Sequence, residues 1–511
     1  MADLQRTPET SVNPLPERVD VLIVGAGLSG IGAAVHLGKN CPGLSYAIVE
    51  ARDAIGGTWD LFRYPGIRSD SDMHTLGYVF KPWTQAKAIA DGPSIRAYVN
   101  ETADEYDIRE HIRFHTKVTR ADWSSEAGEW TVTVDRNGSE KQVRCGFLFM
   151  NSGYYDYDQG YRPDFPDEDK FEGQFIHPQH WPEDLDYEDK RVVIIGSGAT
   201  AVTLVPEIAK HAKHVTMLQR SPTWVVSRPA EDRIANFLRR YLGPEASYKF
   251  TRWKNVLMQD FFFKRARSKP DKVGKTLLDA ARKELGPHYD IDTHLTPSYN
   301  PWEQRLCLIP DNDLFEVLKD GSAEIVTDHI EAFDAKGIRT KSGEHIPADI
   351  VVTATGLNLK MLGGMKMSVD GRDIGVGDVY AYKGVMYSGV PNLAATFGYS
   401  NASWTLKADI SAQYVCRLLN LMRARGMDIA VPAEPQGDYE DAPTWNLSSG
   451  YFQRAKDKMP KGTNKAPWHQ PHDYVNDKKD LLDGEIDDGT MIFAKAGVAN
   501  EDAPPEAVAA E

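Results

Sequence analysis

The chain has 511 residues, too many for one ordinary hydrophobic core, so two or three domains are expected. Its apolar share of 41% and charged share of 26% are normal for a globular protein in water, and a net charge of −15 argues against the basic stripe of a nucleic-acid surface. With no signal-peptide pattern, no apolar run near the roughly 20 residues that span a bilayer and no CxxC pair among Cys41, Cys145, Cys307 and Cys416, a cytoplasmic chain with reduced thiols and no structural metal is expected.

In chain order, residues 1–18 read as a mobile tail. Residues 19–24 form an apolar β run that ends in Gly25-Ala26-Gly27-Leu28-Ser29-Gly30. A helical pattern follows to about Leu37, then a second strand over residues 46–50. Strand, Gly-rich turn, helix, strand is a βαβ unit. Residues 112–118 predict a further strand. The same arrangement returns as a strand over 190–195, the turn Gly196-Ser197-Gly198-Ala199-Thr200-Ala201, a helix to about His211 and a strand over 214–219. From about Arg228 to His294 the apolar spacing is helical, which predicts an inserted helical region. There Phe261-Phe262-Phe263 reads as a buried helix face or a substrate wall rather than a membrane-touching edge. Residues 348–356 return the chain to sheet and residues 409–422 read as helix. The last fifteen residues, acidic and rich in Ala and Pro, read as disordered.

In the first unit Gly25 permits a tight turn, Gly27 admits a pyrophosphate to the backbone and Gly30 allows close helix packing, while the helix N-terminus favours phosphate. About 20 residues on, Glu50 ends the next strand, where a carboxylate accepts ribose hydroxyls. A site so near the N-terminus, with a second one inserted later, suits FAD. Ser29 in the turn, Thr58, Trp59, Asp60 and Leu61 after the Gly56-Gly57 pair, and Val118 are further expected contacts. In the second unit Ala201 takes the third-glycine position, and the following strand ends at Gln219-Arg220 with no acid. A guanidinium in place of a carboxylate favours NADP over NAD.

Two further segments carry a resemblance. Phe171-Glu-Gly173-Gln-Phe-Ile-His177-Pro-Gln-His-Trp181-Pro182 follows the pattern FxGxxxHxxxWP, and Gly57-Thr-Trp59 through Tyr64-Pro65-Gly66 to Asp70 follows GxWxxxxYPGxxxD. Both resemble the fingerprints of Baeyer–Villiger monooxygenases, within the class B flavin monooxygenases, and the likeness spans roughly residues 19–495. Stretches such as NPWEQRLC and GYSNASWTLKAD are most similar to the branch of ethionamide-activating and long-chain alkane-degradation flavin monooxygenases. The resemblance implies that NADPH reduces FAD and that one atom of O2 is inserted beside a ketone carbonyl, giving an ester or lactone. It makes Arg305 the active-site cation, Asp70 the acid that orients it, Arg68 and Ser69 neighbours of the nicotinamide, and Phe171, Gly173, His177 and Trp181 a hinge. Arginine suits the role because it stays protonated at any working pH. Gln304 and Asn358 depart from the family pattern, which often has lysine and aspartate there.

The expected architecture is a two-dinucleotide-binding-domain α/β flavoprotein: an FAD domain of residues 1–150 and 385–511, an NADP domain of 151–228 and 335–384, and a helical insertion of 229–334. Both sheets are expected to be mostly parallel. The expected substrates are aliphatic or small aryl-alkyl ketones, with a monomeric or weakly oligomeric enzyme. Oxygenation of sulfides or thioamides is the alternative. A flavin disulfide reductase fails for want of a redox cysteine pair, and a mere flavin-binding sensor sits poorly with the Arg305 and Asp70 matches.

Overall fold

The structure, a computed structural model, describes residues 13–445 and 448–497. Most of the two expected tails, residues 1–12 and 498–511, therefore lies outside the described residues. Two sheets organise the chain. In the first, β1 (Arg18–Val24) lies between β2 (Tyr46–Val49) and β6 (Ser139–Met150), parallel to both, and β3 (Ile112–Arg113) continues beyond β2. The run Val-Leu-Ile-Val at the end of β1 is apolar on both faces because both are covered: Ile23 packs with Ile31 of α1 (Leu28–Asn40), and Leu22 with Val132 and Val143 of the strands beyond. α1 shares its core with Val415, Leu418 and Leu419 of the helix Trp404–Arg425.

This first sheet is not mostly parallel. β4 (Thr116–Ser124), β5 (Glu129–Arg136) and β6 form an antiparallel meander. The strand expected over 112–118 is broken, since His115 adopts φ 52° between β3 and β4. The second sheet is wholly parallel, in the order Ala323–Thr327, β9 (His214–Gln219), β8 (Arg191–Ile195), Ile350–Thr353 and β7 (Gln174–Ile176).

Two expected boundaries are corrected. Ala323–Thr327 pairs with β9, so the insertion does not run to 334; residues Val225–Arg228 and Cys307–Pro310 pair in parallel and frame it instead. Lys366–Val369 pairs with β4, so residues 366–374 join the first sheet and not the NADP-side one. The inserted region is helical where expected, as Arg233–Ser268, Pro270–Leu285 and Ile291–His294. The Asp232 carboxylate caps the first of these by accepting from the Ala235 N–H at 2.9 Å, and the chain kinks at Gly243, just before Pro244. Phe261 is 66% exposed, which corrects its reading as a buried face.

Candidate functional site

Both Gly-rich turns leave the carboxyl end of a parallel strand and open a helix, the place where doubly wound sheets bind nucleotides. Gly25 has φ 104°, and a Cβ there would lie 2.5 Å from the Asn151 carbonyl oxygen, so only glycine fits. Gly30 packs under the Gly25 carbonyl. No side chain caps α1, which leaves its first N–H groups to a ligand. The Gly56-Gly57 pair lies backbone to backbone against the first turn, Gly27 bridging to Gly56. Glu50 is buried, and its carboxylate accepts from the Ala26 N–H at 2.7 Å and the Arg52 N–H at 2.9 Å. Burial pushes its carboxyl upward, while the two amides and the Arg52 charge hold it back.

The turns meet in a cavity of about 560 Å³, within the range of cofactor sites. Gly25, Gly27, Ser29, Glu50, Thr58, Trp59, Arg68, Ser69, Asp70, Val118, Ala199, Thr200 and Arg305 all line it. Ser29 Oγ accepts from the Trp404 indole at 2.7 Å, and Thr58 Oγ1 meets the Tyr157 hydroxyl at 3.1 Å. Two of the expected contacts stand back from the cavity. Asp60 is buried and binds Arg52, Arg63 and Arg96, so it fixes Arg52 at the cavity edge. Leu61 packs in the core beside Phe62 and Tyr64.

Around the second turn, Gly196 has φ 135° and faces the Ala354 carbonyl, and Gly198 begins the helix Ala199–Ile208 without a side-chain cap. Ala201 is fully buried beneath it. Ser197 Oγ donates to the Ser221 carbonyl at 3.0 Å, which holds the exposed Arg220 beside the turn. The Gln219 side chain turns to protein: its amide donates to the His294 carbonyl and to Thr327 Oγ1, both at 2.8 Å, locking the strand end to the insertion.

Arg305 comes from the loop that closes the insertion, Asp70 from the YPG segment, and the fold brings them together at 3.2 Å. Arg305 also donates to the Ser400 and Tyr399 carbonyls at 3.3 and 3.4 Å. Burial works against its charge, but Asp70 and the nearby tyrosines outweigh it and raise its proton affinity. Arg68 is bound to Asp313 at 2.5 Å, yet its Nε and Nη2, like the Ser69 hydroxyl, are buried with no partner among the described residues. Such donors at a cavity wall suit a carboxamide or phosphate oxygen. Sequence reasoning missed the aromatic wall: Tyr154 stacks on Trp404 at 4.9 Å, and its hydroxyl meets that of Tyr155 at 2.9 Å. Its only trace is the doublet Tyr154-Tyr155 just past β6.

The FxGxxxHxxxWP residues lie away from the cavity. Phe171 packs with Phe175 and Phe333, Gly173 lies under the Asp349 carbonyl, and Trp181 is buried against Tyr187. His177 accepts from the Gln179 N–H at 3.2 Å and packs against Gly160. Gly160 lies on one of two strands of chain, 151–161 and 354–362, that cross side by side between the sheets. These crossings are tied by Tyr161 N–H to the Gly356 carbonyl at 3.0 Å and by Asn358, whose amide donates to the Gln159 and Gly160 carbonyls at 3.2 Å.

A family model described as Flavin-binding monooxygenase-like matches residues 89–238, and one described as NAD(P)-binding Rossmann-like domain matches residues 23–91. FAD-containing monooxygenase EthA of Mycobacterium tuberculosis (strain ATCC 25618 / H37Rv) is 52% identical over 482 residues, covering 94% of this chain and 99% of that protein. Probable FAD-binding monooxygenase AlmA of Acinetobacter sp is 48% identical over 497 residues, covering 97% of this chain and all of that protein. Among solved structures, an oxidized steroid monooxygenase bound to NADP matches with a TM-score of 0.75 at 22% identity, covering 94% of this chain and 100% of that one. An open crystal structure of cyclohexanone monooxygenase matches at 0.74 and 20% identity with the same coverage. The solved structures share the fold. Because about half of its residues are identical to those of the relatives along nearly their whole length, the chain belongs to the flavin-binding monooxygenase-like family, the class B flavin monooxygenases.

Proposed function

We propose that the protein is an FAD- and NADPH-dependent monooxygenase that inserts an oxygen atom beside the carbonyl of aliphatic or small aryl-alkyl ketones, giving an ester or lactone. The observation that carries this reading is the Arg305–Asp70 pair on the wall of the cavity that also holds the first nucleotide turn. Bound FAD, reduced by NADPH, supplies the activated oxygen. Gly25, Gly27, Glu50 and the Thr58–Trp59 turn are the residues that fit FAD; Gly196–Thr200 and Arg220, with Arg68, are those that fit NADP. When the ketone carbonyl is attacked, charge builds on its oxygen, and the Arg305 guanidinium offers a permanent cation there. Asp70 and the two backbone carbonyls fix its direction, so no reorganisation is needed as that charge develops. Tyr154, Tyr155 and Trp404 give the same cavity an aromatic wall.

The test is NADPH oxidation by the FAD-loaded protein with and without 2-octanone, with products separated by gas chromatography. Ester formation is expected, and Arg305→Ala should lower it by about 100- to 1000-fold while FAD absorbance is retained. NADPH consumption that yields only hydrogen peroxide, together with sulfoxide from thioanisole, would replace the ketone reading with sulfur oxygenation.

A further inference from the structure

The helix Arg233–Ser268 turns one face inward. Ser247, Tyr248, Thr251, Arg252 and Val256 are buried there, and Asn255 and Gln259 donate to the Asp72 carboxylate at 2.8 and 3.1 Å, two residues from Asp70. The opposite face is apolar and largely exposed, with Trp253 partly covered by Tyr474 and Lys478. Phe250, Trp253, Leu257, Met258 and Phe261 are 41–66% exposed at helical spacing, and Phe237 and Tyr241 extend the stripe before the kink. Isolated exposed apolar residues are ordinary; a run of this length on one helix face is not.

The charge of the helix says what covers that face. Of its nine Lys and Arg, Arg252 is buried against Asp409 and Lys254 is bound to Asp232, which leaves seven against the two acids Glu245 and Asp260, in a chain whose net charge is −15. Lys249, Lys264 and Arg265 are exposed and flank the stripe, with Arg240 and Arg267 toward its ends. Large aromatics on one face, a surplus of cations beside them and an acidic body behind are the pattern of a helix that lies in a membrane interface. No helix among the described residues is long and apolar enough to cross a membrane, so contact would be from one side.

We propose that this helix docks the protein on an anionic lipid bilayer, its aromatic stripe entering the headgroup region and its lysines and arginines meeting lipid phosphates. The proposal stands independently of the oxygenation reading, since its test reads binding and not turnover. The FAD-loaded protein is to be sedimented with vesicles of phosphatidylcholine alone and of phosphatidylcholine mixed with phosphatidylglycerol. About tenfold more protein is expected to pellet with the mixed vesicles, and high salt should release it. The triple variant Phe250→Ser, Leu257→Ser, Phe261→Ser should lower that binding about tenfold with flavin absorbance unchanged, because each side chain is exposed. A second variant, Lys249→Glu with Arg265→Glu, keeps the stripe and should erase the preference for anionic vesicles. The proposal is overturned if the wild type does not bind, if it binds neutral vesicles equally, or if both variants bind like the wild type. It is also overturned if sedimentation velocity shows a dimer that the serine variant dissociates, which would make a second copy the occupant.

Discussion

His177 is packed against Gly160, and loss of hydration there holds its imidazole below the ordinary value of 6.5. A folded-state value below the unfolded one means that the neutral ring is preferred in the fold. The stability it contributes is therefore present above about pH 6.5 and is lost as the pH falls toward the lowered folded value. Thermal unfolding followed from pH 8 to pH 5 should show the wild-type midpoint falling below about pH 6.5. His177→Gln, which cannot charge, should fall less steeply; parallel curves would show that His177 is not buried neutral. The same residue shows what single positions reveal. Gly25 and Gly196 were legible because a turn imposes the residue type through backbone conformation. Gln219 and Asp60 turn their side chains to protein groups, an outcome hidden from the sequence because a polar side chain at a strand end or turn can point to ligand or to protein, and linear spacing does not record which. Tyr154 and Tyr155 were missed for the converse reason, since an aromatic doublet after a strand reads as core.

Among the elements, the two βαβ units could be read directly, each having an apolar strand, a glycine turn and a helical period in immediate succession. Ala323–Thr327 and Lys366–Val369 could not be placed, because a strand of four or five residues says nothing about its partner and both join sheets begun more than 100 residues earlier. The crossings between the sheets were equally silent, and there the departure at Asn358 acquires a physical meaning. Its amide donates to two carbonyls of the neighbouring crossing. An aspartate would set a carboxylate against those oxygens and lose both donors. Asn358→Asp should cost about 1 kcal/mol of stability, read as a lower thermal midpoint at pH 7, and lowering the pH until the carboxyl protonates should recover part of it. A variant as stable as the wild type at pH 7 would mean that the crossings are held by their backbone bonds and by Lys360, which binds Asp156 at 2.8 Å and Asp158 at 2.9 Å.

For the whole molecule the question is what keeps three separately built parts in register, since the cavity takes walls from the first sheet, the second sheet and the loop after the insertion. Gly66 packs directly on Thr203 and Glu207 of the second domain, and Arg68 reaches Asp313. The insertion is fastened by Arg252. Its guanidinium donates to the His74 and Gly77 carbonyls at 2.9 and 2.7 Å and binds Asp409 of the helix Trp404–Arg425 at 3.0 Å. Asp409 in turn accepts from the Val79 N–H at 2.9 Å and meets His36 of α1 at 3.2 Å. Both members of the pair are buried, so removing either breaks the charge pair, and removing Arg252 also takes a donor from the His74 and Gly77 carbonyls. Arg252→Met should therefore lower unfolding stability by about 3–5 kcal/mol, measured by urea titration with circular dichroism and flavin fluorescence followed together. Asp409→Asn should be costly by the same logic. In the double variant no buried charge is left, so its loss should fall short of the two single losses added together. If the losses add, Arg252 and Asp409 act separately, and the insertion is held by the packing of Tyr248 and Val256 instead. If flavin fluorescence changes at lower urea than the circular dichroism in Arg252→Met, the pair is what transmits the insertion's position to the cavity.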